Sequence, residues 1–362
     1  MEIWVPYGDV ESLLTLQAEN LGELFDPVPE SHADELAPIL IERMKGMEKL
    51  IVCDRKPSTL KLLRSAAPQL PPDSPLKIYA RSPKGVEDGV PALKGRVLKL
   101  APPPSSSVAG EVTYSPELLG GTTFVLATGE PDPLFGYIDA RVSLGLSGMG
   151  GARKAAYMGR GRDEPAFLED TPAHAVMVSF SDKLGGAAFG TVVPRGGEPF
   201  SLVEGGASDA RAHFTAQQVN PAKGIVIGAG GRGYDDTFSQ MLRLSLGAVK
   251  AVRKSGDILL VGECREGLGS DALQMQATGR VSDGALRKGF YADGMEEIAY
   301  LSSLKENYSV TFLSSLPELY ASGSFRFRTA KNSGAALQKV FNSTGRGAKL
   351  HVFTRAPETF LG

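Results

Sequence analysis

Apolar positions along the chain follow two alternating periods. Leu36, Ile39, Leu40 and Met44 recur at helical spacing, after which residues 50–53 form a short apolar run that ends at Asp54. The pattern predicts a helix and then a strand. Ser58 stands where it can cap a second helix through Leu60, Leu62 and Leu63, and residues 76–80 predict a strand that runs into a polar loop over 81–85. Residues 101–109 contain three consecutive prolines and predict an ordered connector or exposed loop. Strand character resumes over 122–128, and the glycine-rich stretch 145–151 leads into a short helix containing Lys154.

A domain boundary is expected near residues 205–221, where Gly205, Gly206 and Pro221 flank a polar helix. Strands are expected beyond it at 224–227, 258–261, 309–313 and 350–353. Phe238, Met241, Leu242, Val249 and Val252 line one helix face between the first two. Strands alternating with helices are the pattern of α/β folds. The expectation is two α/β domains with largely parallel sheets and an interdomain active-site cleft. The N-terminal domain would cover residues 1–215 and a Rossmann-like C-terminal domain residues 216–362, the last residues returning to the first.

Composition narrows the setting more than the chemistry. The 362 residues carry 39 basic and 41 acidic side chains, a net charge of −2, which implies no affinity for nucleic acid. Two cysteines, Cys53 and Cys264, cannot build a disulfide framework, so a reducing cytoplasm is expected. No stretch approaches the ~18 apolar residues of a membrane span. Forty-three glycines without any repeat indicate turns and close backbone approaches.

Gly228, Gly230 and Gly233 spell G-x-G-x-x-G between a strand and a helix, the context of a dinucleotide fingerprint. The acid expected about 20 residues on falls near Arg253 and Lys254 instead, which favours a tight turn holding some other polar ligand. Residues 145–154 resemble a phosphate loop, but Ala155 stands where a magnesium-binding Ser or Thr should follow Lys154. Of four scattered histidines, His174 is the one candidate metal ligand; the others read as structural or surface residues. Two basic pairs, Arg160/Arg162 and Arg326/Arg328, have no aromatic interleaving beyond Phe325 and Phe327, and the alternation in SFRFRT reads first as a half-exposed strand.

Several collinear segments together resemble the nickel-pincer lactate racemase family of 2-hydroxyacid racemases and epimerases. They are VPYG at 5–8, VCDRKP at 52–57, residues 138–154, GGRGYDDTFSQMLR at 230–243 and ILLVGECREGLG at 258–269. The resemblance implies a two-domain protein whose cleft holds a nicotinate-derived pincer nucleotide carrying nickel, tethered through a thioamide to Lys154. It implies Asp54, Lys56 and Ser147 on the cofactor, His174 on nickel, and Gln240 and Arg243 on the substrate carboxylate. Its partners would be a small anionic 2-hydroxy acid and cofactor-maturation enzymes, with a monomer or homodimer as the unit.

The chain departs from that pattern where the family has two proton-transferring histidines, since Arg141 stands at one position and Lys84 at the other. Arginine stays protonated and cannot act as a base; lysine can do so only with a depressed pKa. Three readings follow. The leading one is a divergent racemase or epimerase using the pincer with Lys84, Arg141 and Lys154 at the reacting centre. Against it stand a pincer-free paralogue that binds or senses a small anion, and a nicotinamide-dependent oxidoreductase. If Arg141 faces the substrate, a dianionic ligand is expected. The paired glycines at 185–186, 196–197 and 205–206 predict a hinge that closes the cleft over it.

Overall fold

The computed structural model describes residues 1–71, 73–105, 111–159, 171–204, 207–213, 216–217, 219–281 and 291–361. Arg160, Arg162, Gly205, Gly206 and the later part of the 101–109 connector lie outside the described residues.

Two six-stranded sheets carry the chain. The first runs, in spatial order, Glu198–Val203, Ala187–Arg195, Thr123–Thr128, Lys49–Val52, Lys77–Ala80 and Val97–Lys99. All its pairs are parallel except the hairpin at the Glu198–Val203 edge. The second runs Arg328–Thr329, Ser309–Leu313, Val252–Val261, Ala222–Gly228, Leu350–Phe353 and Leu21–Phe25, and is parallel throughout.

Side-chain alternation explains why both sheets are covered on two faces. In the first, Leu50 and Val52 pack with Leu36, Leu40, Leu62 and Leu63 of helices Ala33–Met44 and Pro57–Ala66. Ile51, Val125 and Ala127 point the other way, onto Val142 and Leu144 of helix Ala140–Gly148 and Met177 of helix Pro172–Asp182. In the second, Ile225, Ile227 and Leu260 meet Phe238, Leu242 and Leu301. Val226 and Leu259 meet Leu337, Val340 and the hairpin residues Ile3, Val5 and Leu14. Each fully buried aliphatic side chain contributes roughly 1.5–3 kcal/mol, so both domains have cores of their own.

The structure departs from the sequence expectations at several points. The first 25 residues belong to the second domain, because hairpin Glu2–Tyr7/Val10–Thr15 packs on its sheet and Leu21–Phe25 extends that sheet's edge. An N-terminal domain of residues 1–215 therefore omits a crossing of the chain between the domains. Ser58 caps nothing: Ser58 and Thr59 both hydrogen-bond the Thr128 hydroxyl, at 2.9 and 2.7 Å, and Lys56 holds the N-cap position. Glycine-rich 145–148 is helical, Gly145 being the residue small enough to lie under Met177. The helix expected over 238–252 is only Phe238–Leu244, followed by two 3₁₀ turns and a strand from Val252. Gly196 and Gly197 form the tight turn of the Ala187–Arg195/Glu198–Val203 hairpin and do not form a hinge. Among the described residues no helix is long and apolar enough to cross a membrane.

Candidate anion-binding cleft between the domains

In an open parallel sheet the chain leaves neighbouring strands in opposite directions at one point, and a crevice opens there at the strands' C-terminal ends. In the first sheet this point lies between Lys49–Val52 and Thr123–Thr128, and in the second between Ala222–Gly228 and Leu350–Phe353. Loops from the two crevices face one another across a cleft of ≈ 730 Å³.

The first domain contributes the segment 53–56. Asp54 ties the two strands of the switch point together: its Oδ1 accepts the Lys56 N–H at 2.8 Å and its Oδ2 accepts the Thr128 N–H. Burial pushes this carboxyl up to about 6, against those hydrogen bonds and the Lys56 charge. Lys56, with a side chain only 8 % exposed, pairs with Glu130 at 2.9 Å and sits 4.6 Å from the ring centre of Tyr234 in the second domain. Burial acts to raise the Glu130 carboxyl, but the charges of Lys56 and Arg243 outweigh it and hold it below the usual carboxylate range. The Cys53 thiol is pushed up by burial and by the Asp54 charge, which makes it a poor nucleophile. Ser147 lines the cleft, its hydroxyl donating to the Cys53 carbonyl at 3.4 Å.

The second domain contributes helix Phe238–Leu244, anchored by Phe238, which stacks on Phe325 at 4.9 Å within the core. The helix begins with a capping box in which Gln240 Oε1 accepts the Thr237 N–H at 3.1 Å and Thr237 Oγ1 accepts the Gln240 N–H at 3.2 Å. Gln240 and Arg243 both line the cleft. Arg243 is held loosely, at 3.5 Å from Asp132 of the first domain and 3.5 Å from Glu297 of the second. Burial, reinforced by Glu296 and opposed by Arg243, pushes the Glu297 carboxyl up to about 7.

Asp54, Lys56, Ser147, Gln240 and Arg243 are thus brought together, while Lys84, Arg141, Lys154 and His174 are not among the lining residues. Lys84 is exposed on helix Pro83–Gly89, whose Gly85 and Gly89 face the cleft instead. Arg141 pairs with Asp182 at 3.6 Å and lies over the Phe189 ring, away from the cleft. His174 is buried between two helix starts, its Nε2 3.2 Å from Asp139, the N-cap of the neighbouring helix. Lys154 is exposed, and the residue of that turn that enters the cleft is Arg153, which pairs with Glu296 and with Asp293 at 3.4 Å. A guanidinium cannot take the lysine's place in a thioamide, so these residues do not fit a lysine-tethered nickel pincer. Among the described residues no three His, Cys, Asp or Glu side chains converge as metal ligands.

Sequence reasoning passed over Arg55, Arg64, Arg232 and Arg265, which also line the cleft. Among the described residues neither Arg55 nor Arg64 has a carboxylate within ion-pair distance; Arg64 donates instead to the Gly89 carbonyl at 3.1 and 2.7 Å. The spacing of Arg64 from Asp54 carries no motif, so only the packing of the helix reveals it. The G-x-G-x-x-G glycines serve the chain itself. A Cβ at Gly228 would meet the Thr354 carbonyl and Val5 at 2.5 Å, and one at Gly233 would meet Cδ of Pro57 at 2.9 Å. The hairpin and a neighbouring strand fill the room a pyrophosphate would need.

No protein-family model matches the chain, and no curated protein matches its sequence. Solved structures do. The structure is similar to the lactate racemase apoprotein of Thermoanaerobacterium thermosaccharolyticum over 100% of both chains, with a TM-score of 0.74 and 14% identity. It is also similar to a protein from Thermotoga maritima over 92% of this chain and 98% of that one, with a TM-score of 0.59 and 11% identity. At these identities the shared property is the fold: two α/β domains built as in lactate racemase.

Proposed function

We propose that the protein binds a small anionic ligand, bearing carboxylate or phosphate groups, in the cleft between its domains and does so without a tethered nickel pincer. One observation carries this reading. The cleft presents eight cationic side chains, Arg55, Lys56, Lys61, Arg64, Arg153, Arg232, Arg243 and Arg265, against five acidic ones, Asp54, Asp88, Glu130, Asp236 and Glu266, while the lysine and histidine needed for the pincer lie outside it. Guanidinium groups are suited to oxyanions because their fork matches a carboxylate or phosphate edge. Binding is tested by the melting temperature of the purified chain in roughly millimolar malate, phosphate or lactate, where a stabilising shift is expected. No shift with any of them overturns the reading.

A second reading, a 2-hydroxyacid racemase or epimerase, is favoured by the fold shared with the lactate racemase apoprotein and by Gln240 and Arg243 at the cleft. It requires the cofactor. Protein co-produced with pincer-maturation enzymes should then contain nickel and show an adduct on Lys154 by intact mass. On the anion-binding reading the same preparation has its unmodified mass, and an adduct overturns that reading.

A further inference from the structure

We propose that Arg232 and Arg265 form a carboxylate subsite at the mouth of the cleft, which the chain's own Asp9 fills when no ligand is bound. The inference rests on the reading of the cleft as an anion site and adds the ligand class, a dicarboxylate.

Asp9 lies in the turn of the N-terminal hairpin, between Tyr7 and Val10. Its two carboxylate oxygens are shared between two arginines from different loops: Oδ1 is 2.9 Å from Arg232 Nη1 and Oδ2 is 2.9 Å from Arg265 Nη1. Both arginines line the cleft. The arrangement is that of a bound carboxylate bridging two guanidinium groups, with the carboxylate supplied from within.

The backbone around Asp9 is fixed while its side chain is free to leave. The Gly8 N–H donates to Asp235 Oδ2 at 2.9 Å, and the Gly8 carbonyl accepts the Arg232 N–H at 2.8 Å. Asp235 Oδ2 also accepts the Glu263 N–H at 2.9 Å, so one buried carboxylate holds the hairpin turn and the Arg265 loop in register. The Asp9 side chain is 49 % exposed and the Arg232 side chain 65 %. Ion pairs this exposed are weak, because water and salt screen both partners, so rotation of one side chain at small cost frees Arg232 and leaves Arg265 only its longer pairing with Asp236, at 3.8 Å. A ligand carboxylate that replaces Asp9 leaves its second carboxylate inside the cleft, where Arg55 and Arg64 lack an acidic partner among the described residues. An internal competitor multiplies the apparent affinity by the fraction of time it leaves the site free, and removing it restores that factor.

Titration calorimetry on the full chain at low ionic strength tests this, with malate as dicarboxylate, lactate as monocarboxylate and inorganic phosphate as a third probe. Asp9→Asn and Asp9→Ser keep the hairpin backbone and should each raise malate affinity about fivefold, leaving lactate unchanged. Arg265→Met added to Asp9→Asn should remove the gain. Unchanged malate affinity in both Asp9 variants overturns the subsite, as does an equal gain for lactate; a larger gain for phosphate than for malate overturns the carboxylate assignment. If the unaltered chain binds malate and the Asp9 variants merely match it, the subsite alone fails. If no variant binds any probe, the anion-site reading fails with it.

Discussion

Arg153 and Glu296 join the two domains beneath the cleft, the guanidinium entering from helix Ala152–Met158 and the carboxylate from the start of helix Met295–Asn307. Glu296 is 4 % exposed, so removal of its partner strands a buried charge. Arg153→Met should therefore destabilise the protein by about 3 kcal/mol in urea unfolding, whereas Arg153→Met with Glu296→Met should recover most of the loss. Equal losses in the single and double variants would mean that the pair is not what binds the domains there.

Glu297 makes stability depend on pH in the direction opposite to an ordinary salt-bridged carboxylate. Its carboxyl is held at about 7 in the folded state, against 4.5 without the protein's influence, so the folded state retains a proton that the unfolded state has lost. Its contribution is fully favourable below pH ~4.5 and is lost as the pH rises through about 7. Unfolding at fixed urea between pH 5 and 8 should show this decline, and Glu297→Gln should make it shallower, the remainder coming from Asp54 and Glu358, whose carboxyls are also raised by burial. Identical slopes in the two proteins would place the titration elsewhere.

Gly233 is a point of close approach between the domains. It has φ +84°, and a Cβ there would lie 2.9 Å from Cδ of Pro57 at the start of the first-domain helix. Gly233→Ala carries about 1–2 kcal/mol of left-handed strain and adds a contact that must push the domains apart. A lower melting temperature and a larger radius of gyration by small-angle scattering are expected. Pro57→Ala in the same chain should reverse the expansion but not the strain.

Arg141 and Arg55 should respond oppositely to truncation. Arg141 is paired outside the cleft with a half-exposed carboxylate, so Arg141→Ala should cost less than about 1 kcal/mol and leave malate binding unchanged. Arg55 lines the cleft without an acidic partner among the described residues, and Arg55→Ala should weaken malate binding about tenfold in calorimetry. The reverse ranking would return Arg141 to the ligand.

The elements that were legible in the sequence are those whose periodicity reports burial. The helix ending at Met44 and the strands Lys49–Val52, Lys77–Ala80 and Ser309–Leu313 all lie within a residue or two of the apolar pattern. Three kinds of feature were hidden. Leu21–Phe25 carries a glycine and a glutamate, and its partner strand lies more than 300 residues away. Glu296 and Glu297 look like the solvated start of a helix, yet both are buried because their partners come from other segments. Collinear spacing locates a segment but not its facing: neighbouring residues on a helix differ by about 100° in direction, so Arg153 enters the cleft and Lys154 does not.

Pairing of Leu21–Phe25 with Leu350–Phe353 also governs how the protein is made. A ribosome releases the first strand of the second sheet long before its neighbour exists, and the whole first domain emerges in between. That domain can fold during synthesis, because its sheet draws on residues 49–203 alone. The strand Leu21–Phe25 must meanwhile wait without its partner, and the hairpin residues Ile3, Val5 and Leu14 stay uncovered until Val226 and Leu259 of the second domain emerge. Closing so long a loop is slow, which makes the docking of residues 1–25 the expected final step of maturation and the stage at which a nascent chain is most open to aggregation or proteolysis. A circular permutant that begins at the first domain and carries residues 1–25 after residue 362 would bring Leu21–Phe25 and its neighbour Leu350–Phe353 together in sequence and shorten that exposure.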